Sequence, residues 1–161
     1  MFLGVDYYPE HWNEYMLEED LNNIIELGSN VIRIGEFAWH MMESEEGKFD
    51  FSYFDHIINE AKKKGLKIIF GTPTATMPAW LAKKHPDVLG EFEDNTKRVF
   101  GGRRQYCFNS KTYLKYSETI IRELANHFKE EKAIVAWQID NELGHEGSDV
   151  CFCNECKNAF R

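Results

Sequence analysis

Short apolar segments alternate with longer stretches in which apolar residues recur every three or four positions, an order that predicts strands each followed by an amphipathic helix. The first strand is expected over residues 2–5. Its helix places Leu17, Leu21, Ile24 and Ile25 on one stripe and stops at Gly28, a residue suited to the left-handed position past a helix end. A second strand is expected over 31–34. The helix after it turns Phe54, Ile57, Ile58 and Ala61 to one face and ends in Lys62, Lys63, Lys64 and Gly65, which suit the negative end of the helix dipole and its cap. The third strand, 67–70, is followed by about forty residues before the next long helix, far beyond ordinary connection lengths, and insertions of that size usually carry function. Within it a short helix is expected over 80–84, ended by Pro86. Ser110 then caps a long helix whose buried stripe is Tyr113, Ser117, Ile120, Ile121, Leu124 and Phe128. The fourth strand, 134–139, is almost wholly apolar, as expected of a strand covered on both faces of a parallel sheet.

Repeated βα units with no internal sequence repeat give an α/β fold with a parallel sheet, either an open doubly wound sheet or a (β/α)8 TIM barrel. The polar residues Asp6, Arg33, Glu36, Asp140, Asn141 and Glu142 all fall at or near the C-terminal ends of strands, where barrel enzymes place their chemistry. Composition adds exclusions. The 161 residues fit one domain, and 43% hydrophobic with 29% charged residues is the balance of a globular chain. A net charge of −8 argues against nucleic acid or an anionic membrane as partner, since phosphate neutralisation wants a basic face. No apolar run approaches the ~20 residues of a bilayer span, and the apolar start of the chain meets Asp6 too early for an export signal, so a cytoplasmic location is expected.

Two constellations carry candidate chemistry. Asn141 and Glu142 stand side by side where a strand runs out, with Asp140 before them as a candidate second carboxylate in the same mouth. A carboxylic acid held partly desolvated can protonate a glycosidic oxygen, and a neighbouring amide can bond a sugar hydroxyl without adding charge. By itself the dipeptide reads equally well as a capping asparagine with a solvated glutamate. The second constellation is Cys151, Cys153 and Cys156 with the remote Cys107. Four thiolates can close a tetrahedral zinc shell that leaves no open position, so such a zinc would pin loops without touching substrate; the bland alternative is four inert thiols. Trp12, Trp39, Trp80 and Trp137 suit either sugar stacking or core packing, and His11, His85 and His145 show no metal-ligand spacing.

Four motifs occur in order: Gly4 to Trp12 (GVDYYPEHW), Val31 to Trp39 (VIRIGEFAW), Arg103 to Cys107 (RRQYC) and Trp137 to Glu142 (WQIDNE). Together they resemble the family 42 β-galactosidases. The resemblance implies a (β/α)8 catalytic barrel, of which these residues supply roughly the first four βα units, and retaining hydrolysis of terminal β-D-galactosides. It places the general acid/base at Glu142 and its amide partner at Asn141, and it matches Arg33 and Arg103 to the arginines that bind galactose hydroxyls. Arg103 is preferred to Arg104 by its spacing from Cys107. It also matches Cys107, Cys151, Cys153 and Cys156 to a structural zinc site, and it implies a homo-oligomer for the full-length protein.

A retaining mechanism needs two carboxyl groups. In the family the second, the nucleophile, follows strand 7, and a whole barrel takes ~250 residues, so the expectation is an N-terminal half barrel, inactive alone, with its first and fourth strands as edges. Glu36 is not expected to substitute. The rival expectation is a non-catalytic, zinc-pinned half barrel that binds galactosides or a partner chain through the same mouth.

Overall fold

The computed structural model describes residues 1–143 and 150–160; His145 lies outside the described residues. In chain order its elements are β1 (Gly4–Asp6), α1 (Leu17–Glu26), β2 (Val31–Ile34), α2 (Trp39–Met42), β3 (Glu43–Glu45), β4 (Lys48–Phe49), α3 (Ser52–Lys63), β5 (Lys67–Gly71), α4 (Ala79–Lys84), α5 (Lys111–Phe128), β6 (Ile134–Gln138) and α6 (Asn154–Phe160). Four strands form one parallel sheet in the order β1-β2-β5-β6, in a register that sets Val5 beside Ile32, Ile32 beside Ile68 and Phe70 beside Trp137. Sequential strands are neighbours because each helix returns the chain alongside the strand it left.

The apolar periods build the core as expected. Ile32, Ile34, Ile68 and Phe70 are wholly buried in the sheet, under Leu17, Leu21 and Ile24 of α1, Phe54, Ile57, Ile58 and Ala61 of α3, and Tyr113, Ile120, Leu124 and Phe128 of α5. Each large apolar side chain removed from water contributes roughly 1.5–3 kcal/mol before conformational entropy is set against it. Ser110 caps α5 by accepting a hydrogen bond from the Tyr113 amide at 3.2 Å.

Several expectations change. Ile25 is 38% exposed and Ile121 only partly buried, because each lies about 100° round its helix from the buried Ile24 or Ile120. The first strand begins at Gly4, where pairing with Val31 begins, and leaves Phe2 and Leu3 exposed. The largest correction is β6, which is not covered on both faces: Val135 is 41% and Trp137 38% exposed. Both β6 and β1 are edges of the sheet, so their apolar side chains lack a neighbouring strand on one side. The β3–β4 hairpin was not expected from the pattern. It is held by Glu43, whose carboxylate accepts from Trp39 Nε1 and the Gly47 amide, both at 2.8 Å, while its carbonyl accepts from Trp80 Nε1 at 2.8 Å. Trp39 and Trp80 are thereby packing residues. No helix among the described residues is long and apolar enough to cross a membrane.

Candidate active site and candidate metal centre

At the C-terminal end of β2 the chain must turn sharply between two strands. Gly35 does so with φ +90°, where a side chain would be strained and would strike the Phe70 ring, and Gly71 of β5 leaves the space that the Glu36 side chain occupies. Glu36 is consequently drawn fully under the mouth. Its Oε1 accepts from Tyr8 OH at 2.9 Å and from Arg33 Nε at 3.0 Å, and Arg33 Nη2 lies 2.9 Å from it and 2.7 Å from Asp6 Oδ2. Two carboxylates thus hold Arg33 by its planar fork, and Glu36 is a support for that arginine.

Beside it, on the turn Pro9–His11, Glu10 has both carboxylate oxygens buried, and neither meets the geometry of a hydrogen bond among the described residues. Burial pushes its carboxyl above the ordinary glutamate range, and Glu36 adds to the shift. The folded protein therefore binds this proton more tightly than the unfolded chain, and stability is lost as pH rises from the ordinary glutamate value through the raised one. Glu10→Gln is expected to match the parent at the acid end of that window and to exceed it increasingly as pH rises, in urea unfolding measured across the range. A stability difference that does not change with pH would refute this.

At the end of β6 the backbone takes left-handed φ values at two residues that are not glycine, Asp140 (57°) and Glu142 (48°), a conformation that must be held by its surroundings. Asp140 is what holds it. Its amide donates to Thr72 Oγ1 at 2.7 Å, its Oδ2 accepts from Thr74 Oγ1 at 2.9 Å, its Oδ1 accepts from the Asn141 amide at 2.6 Å, and the buried Arg104 pairs with it at 3.2 Å. The possible second carboxylate of the mouth is therefore occupied as scaffold. Asn141 is buried and accepts from Gln138 Nε2 at 2.9 Å. Glu142 points outward with its side chain 53% exposed, 3.2 Å from Arg103 Nη1, so the desolvation expected around it is not provided by the described residues.

The structure brings Arg103 to Glu142 while the Asn141 side chain turns to Gln138, and it places Arg33 in the neighbouring group with Asp6 and Glu36. The adjacent arginines part company: Arg104 is 1% exposed, buried against Asp140, while Arg103 lies beside Glu142. The roles of Thr72 and Thr74, and the pairing of Arg104 with Asp140, escaped sequence reasoning, since nothing in a single sequence ties these residues to Asp140, 36 to 68 positions away.

Sγ atoms of Cys107, Cys151, Cys153 and Cys156 all lie within 4.8 Å of one another, with Cys107 at 3.5 Å from Cys153 and 3.3 Å from Cys156. Tetrahedral zinc–thiolate bonds of ~2.3 Å put sulfurs about 3.8 Å apart, so the four residues fit a closed metal shell. Amides already point at the sulfurs: Glu91 at Cys151 and Asn109 at Cys107, both 3.3 Å, and Cys156 at Cys153, 3.4 Å. Burial and then Cys156 push the Cys107 thiol well above its usual range, so four thiolates here need a compensating cation. The cluster joins the long insertion to the segment before α6, as does the Phe152 amide bonded to the Glu91 carbonyl at 3.0 Å.

A family model described as Beta-galactosidase, that of glycoside hydrolase family 42, matches residues 6–161. The chain belongs to glycoside hydrolase family 42. It is 41% identical to Beta-galactosidase BgaH of Haloferax lucentense over 99% of its own length and 24% of that protein, and 41% identical to Beta-galactosidase BgaA of a Thermus species over 99% and 25%. A β-galactosidase structure from the haloarchaeon Halorubrum lacusprofundi superposes with a TM-score of 0.94 at 37% identity, covering 99% of this chain and 24% of that one. One from the psychrophilic Marinomonas ef1 gives 0.94 at 36%, with the same coverage. The chain spans about a quarter of the length of these family 42 relatives, and its parallel sheet and helices are part of a (β/α)8 barrel.

Proposed function

We propose that these residues form the acid/base side of a retaining β-galactosidase, completed by the rest of the barrel in the full polypeptide. The observation that carries this reading is the pairing of Arg103 with Glu142 just past the C-terminal end of β6, beside Asn141, in a chain of this family. Glu142 donates its proton to the leaving-group oxygen while a second carboxylate, contributed by the remainder of the barrel, attacks the anomeric carbon. As carboxylate, Glu142 then takes a proton from water, whose oxygen attacks the same carbon and releases the second carboxylate, so the anomeric configuration is retained. Arg33 and Arg103 bind galactosyl hydroxyls through planar forks, and Asn141 bonds one more without adding charge. Bound sugar covers the exposed face of Glu142. The four cysteines hold one structural zinc, which neutralises the thiolates and ties the insertion to the segment after β6, leaving the sugar site alone.

The test follows hydrolysis of an aryl β-galactoside by the complete polypeptide encoded around these residues, using proton NMR. β-Galactose is expected first, mutarotating later to the equilibrium mixture. Initial α-galactose would overturn the retaining mechanism, and binding without turnover would replace the enzyme by a galactoside-binding protein.

A further inference from the structure

Between the two arginines runs a stack of rings that neither the hydrogen bonds nor the motifs account for. The His11 and Tyr8 rings stack at 5.3 Å, the Tyr8 and Phe37 rings at 5.8 Å with 27° between their planes, and the Arg103 guanidinium lies 5.2 Å from the Phe37 ring centre. The stack is tied to Arg33 through Tyr8, its central ring, because Tyr8 OH and Arg33 share Glu36 Oε1 as acceptor. Its Phe37 end meets Glu142 through Arg103. Phe37 itself cannot drift: it follows the Gly35–Glu36 turn, and its carbonyl accepts from Thr76 Oγ1 at 2.8 Å. An arginine on a long flexible stem has many rotamers, and an aromatic face beneath the guanidinium selects those in which its plane lies flat on the ring.

We propose that Phe37 is a positioning residue. Its ring, seated between Tyr8 and Arg103, sets the plane of the Arg103 guanidinium and with it the strictness with which the site reads galactosyl hydroxyls. This rests on the reading of Arg103 as a galactose-binding residue. Phe37 does no chemistry; it limits where the donor edge of Arg103 can go.

The experiment is a double-mutant cycle in the complete polypeptide with Phe37→Leu, Arg103→Ala and the double variant, measured on an aryl β-galactoside and its monodeoxy analogues. Phe37→Leu is expected to raise KM about three- to tenfold with little change in kcat, the range in which removing a cation–π contact falls. It is also expected to narrow the preference for galactoside over at least one deoxy analogue, and Phe37→Tyr or Phe37→Trp should restore both. In the Arg103→Ala background, removing Phe37 should add almost nothing. Additive effects, with Arg103→Ala itself damaging, would overturn the role of Phe37 while leaving that of Arg103 intact. Full activity in Arg103→Ala would overturn the reading of the arginine and the proposal with it. A thermal melt of Phe37→Leu separates misfolding from mispositioning, since only the latter changes discrimination among deoxy analogues at an unchanged Tm; if the melt drops, Phe37→Tyr restoring selectivity decides the matter.

Discussion

Glu142→Gln is expected to lower kcat/KM by about 10²–10⁴ on galactosides whose leaving group needs a proton, and by far less on those whose leaving group departs as a stable anion. Glutamine keeps the shape of the side chain and can still meet Arg103, which lies 3.2 Å from Glu142 Oε2. What it cannot do is give a proton to the glycosidic oxygen. A phenyl galactoside and a dinitrophenyl galactoside therefore separate proton donation from binding: only the first should fail at the glycosylation step. With the second, galactosyl-enzyme forms but drains slowly, because the same residue is missing as base, so a burst of dinitrophenolate precedes a slow steady state. An equal loss across leaving groups, without a burst, would mean that Glu142 acts in binding or folding and would remove it as acid/base.

Metal extraction is expected to give the second large effect. The complete polypeptide should carry about one zinc per copy of this chain, and a strong chelator should lower its Tm by on the order of 10 °C. That figure follows from the ~4 kcal/mol that a ligand at a thousandfold excess over its Kd lends a folded state, at about 2–4 °C per kcal/mol for a barrel of ~250 residues. Re-addition of zinc should reverse the change, and Cys107→Ser should reproduce it, since Cys107 is the buried member and the one contributed by the distant insertion. At temperatures where the stripped protein remains folded, kcat should hold, because four sulfurs fill the shell and none is placed at the mouth. A metal-free protein whose four thiols titrate freely and whose Tm ignores chelator would refute the zinc site.

The contrast between these two sites shows where sequence reading reached and where it stopped. The cysteines were legible because three of them sit within six positions and thiols are rare, so spacing alone suggested a shared ion; the structure then gathered all four sulfurs within 4.8 Å. The assignment of Asn141 and Glu142 to the site rests on four motifs in register, because an Asn-Glu pair after a strand has an equally good reading as cap and solvated surface. The use of Asp140 as scaffold leaves no mark in the sequence. The occupation of Asp140 by Arg104, Thr72 and Thr74 depends on side chains brought together by strand pairing and by the path of the insertion.

By itself, the sequence determined the periods of the chain. The three-to-four spacing of Leu17, Leu21 and Ile24, of Phe54, Ile57, Ile58 and Ala61, and of Tyr113, Ile120, Leu124 and Phe128 dictated three helices, and short apolar runs dictated the strands between them, because burial rewards those spacings wherever the chain goes. Tertiary structure alone decided that Arg104 is buried against Asp140 and that a phenylalanine ring lies beneath Arg103. Those outcomes turn on angstrom-scale distances between residues far apart in the chain, set by sheet register, by the turn at Gly35 and by the course of the insertion, none of which leaves a periodic trace in the sequence.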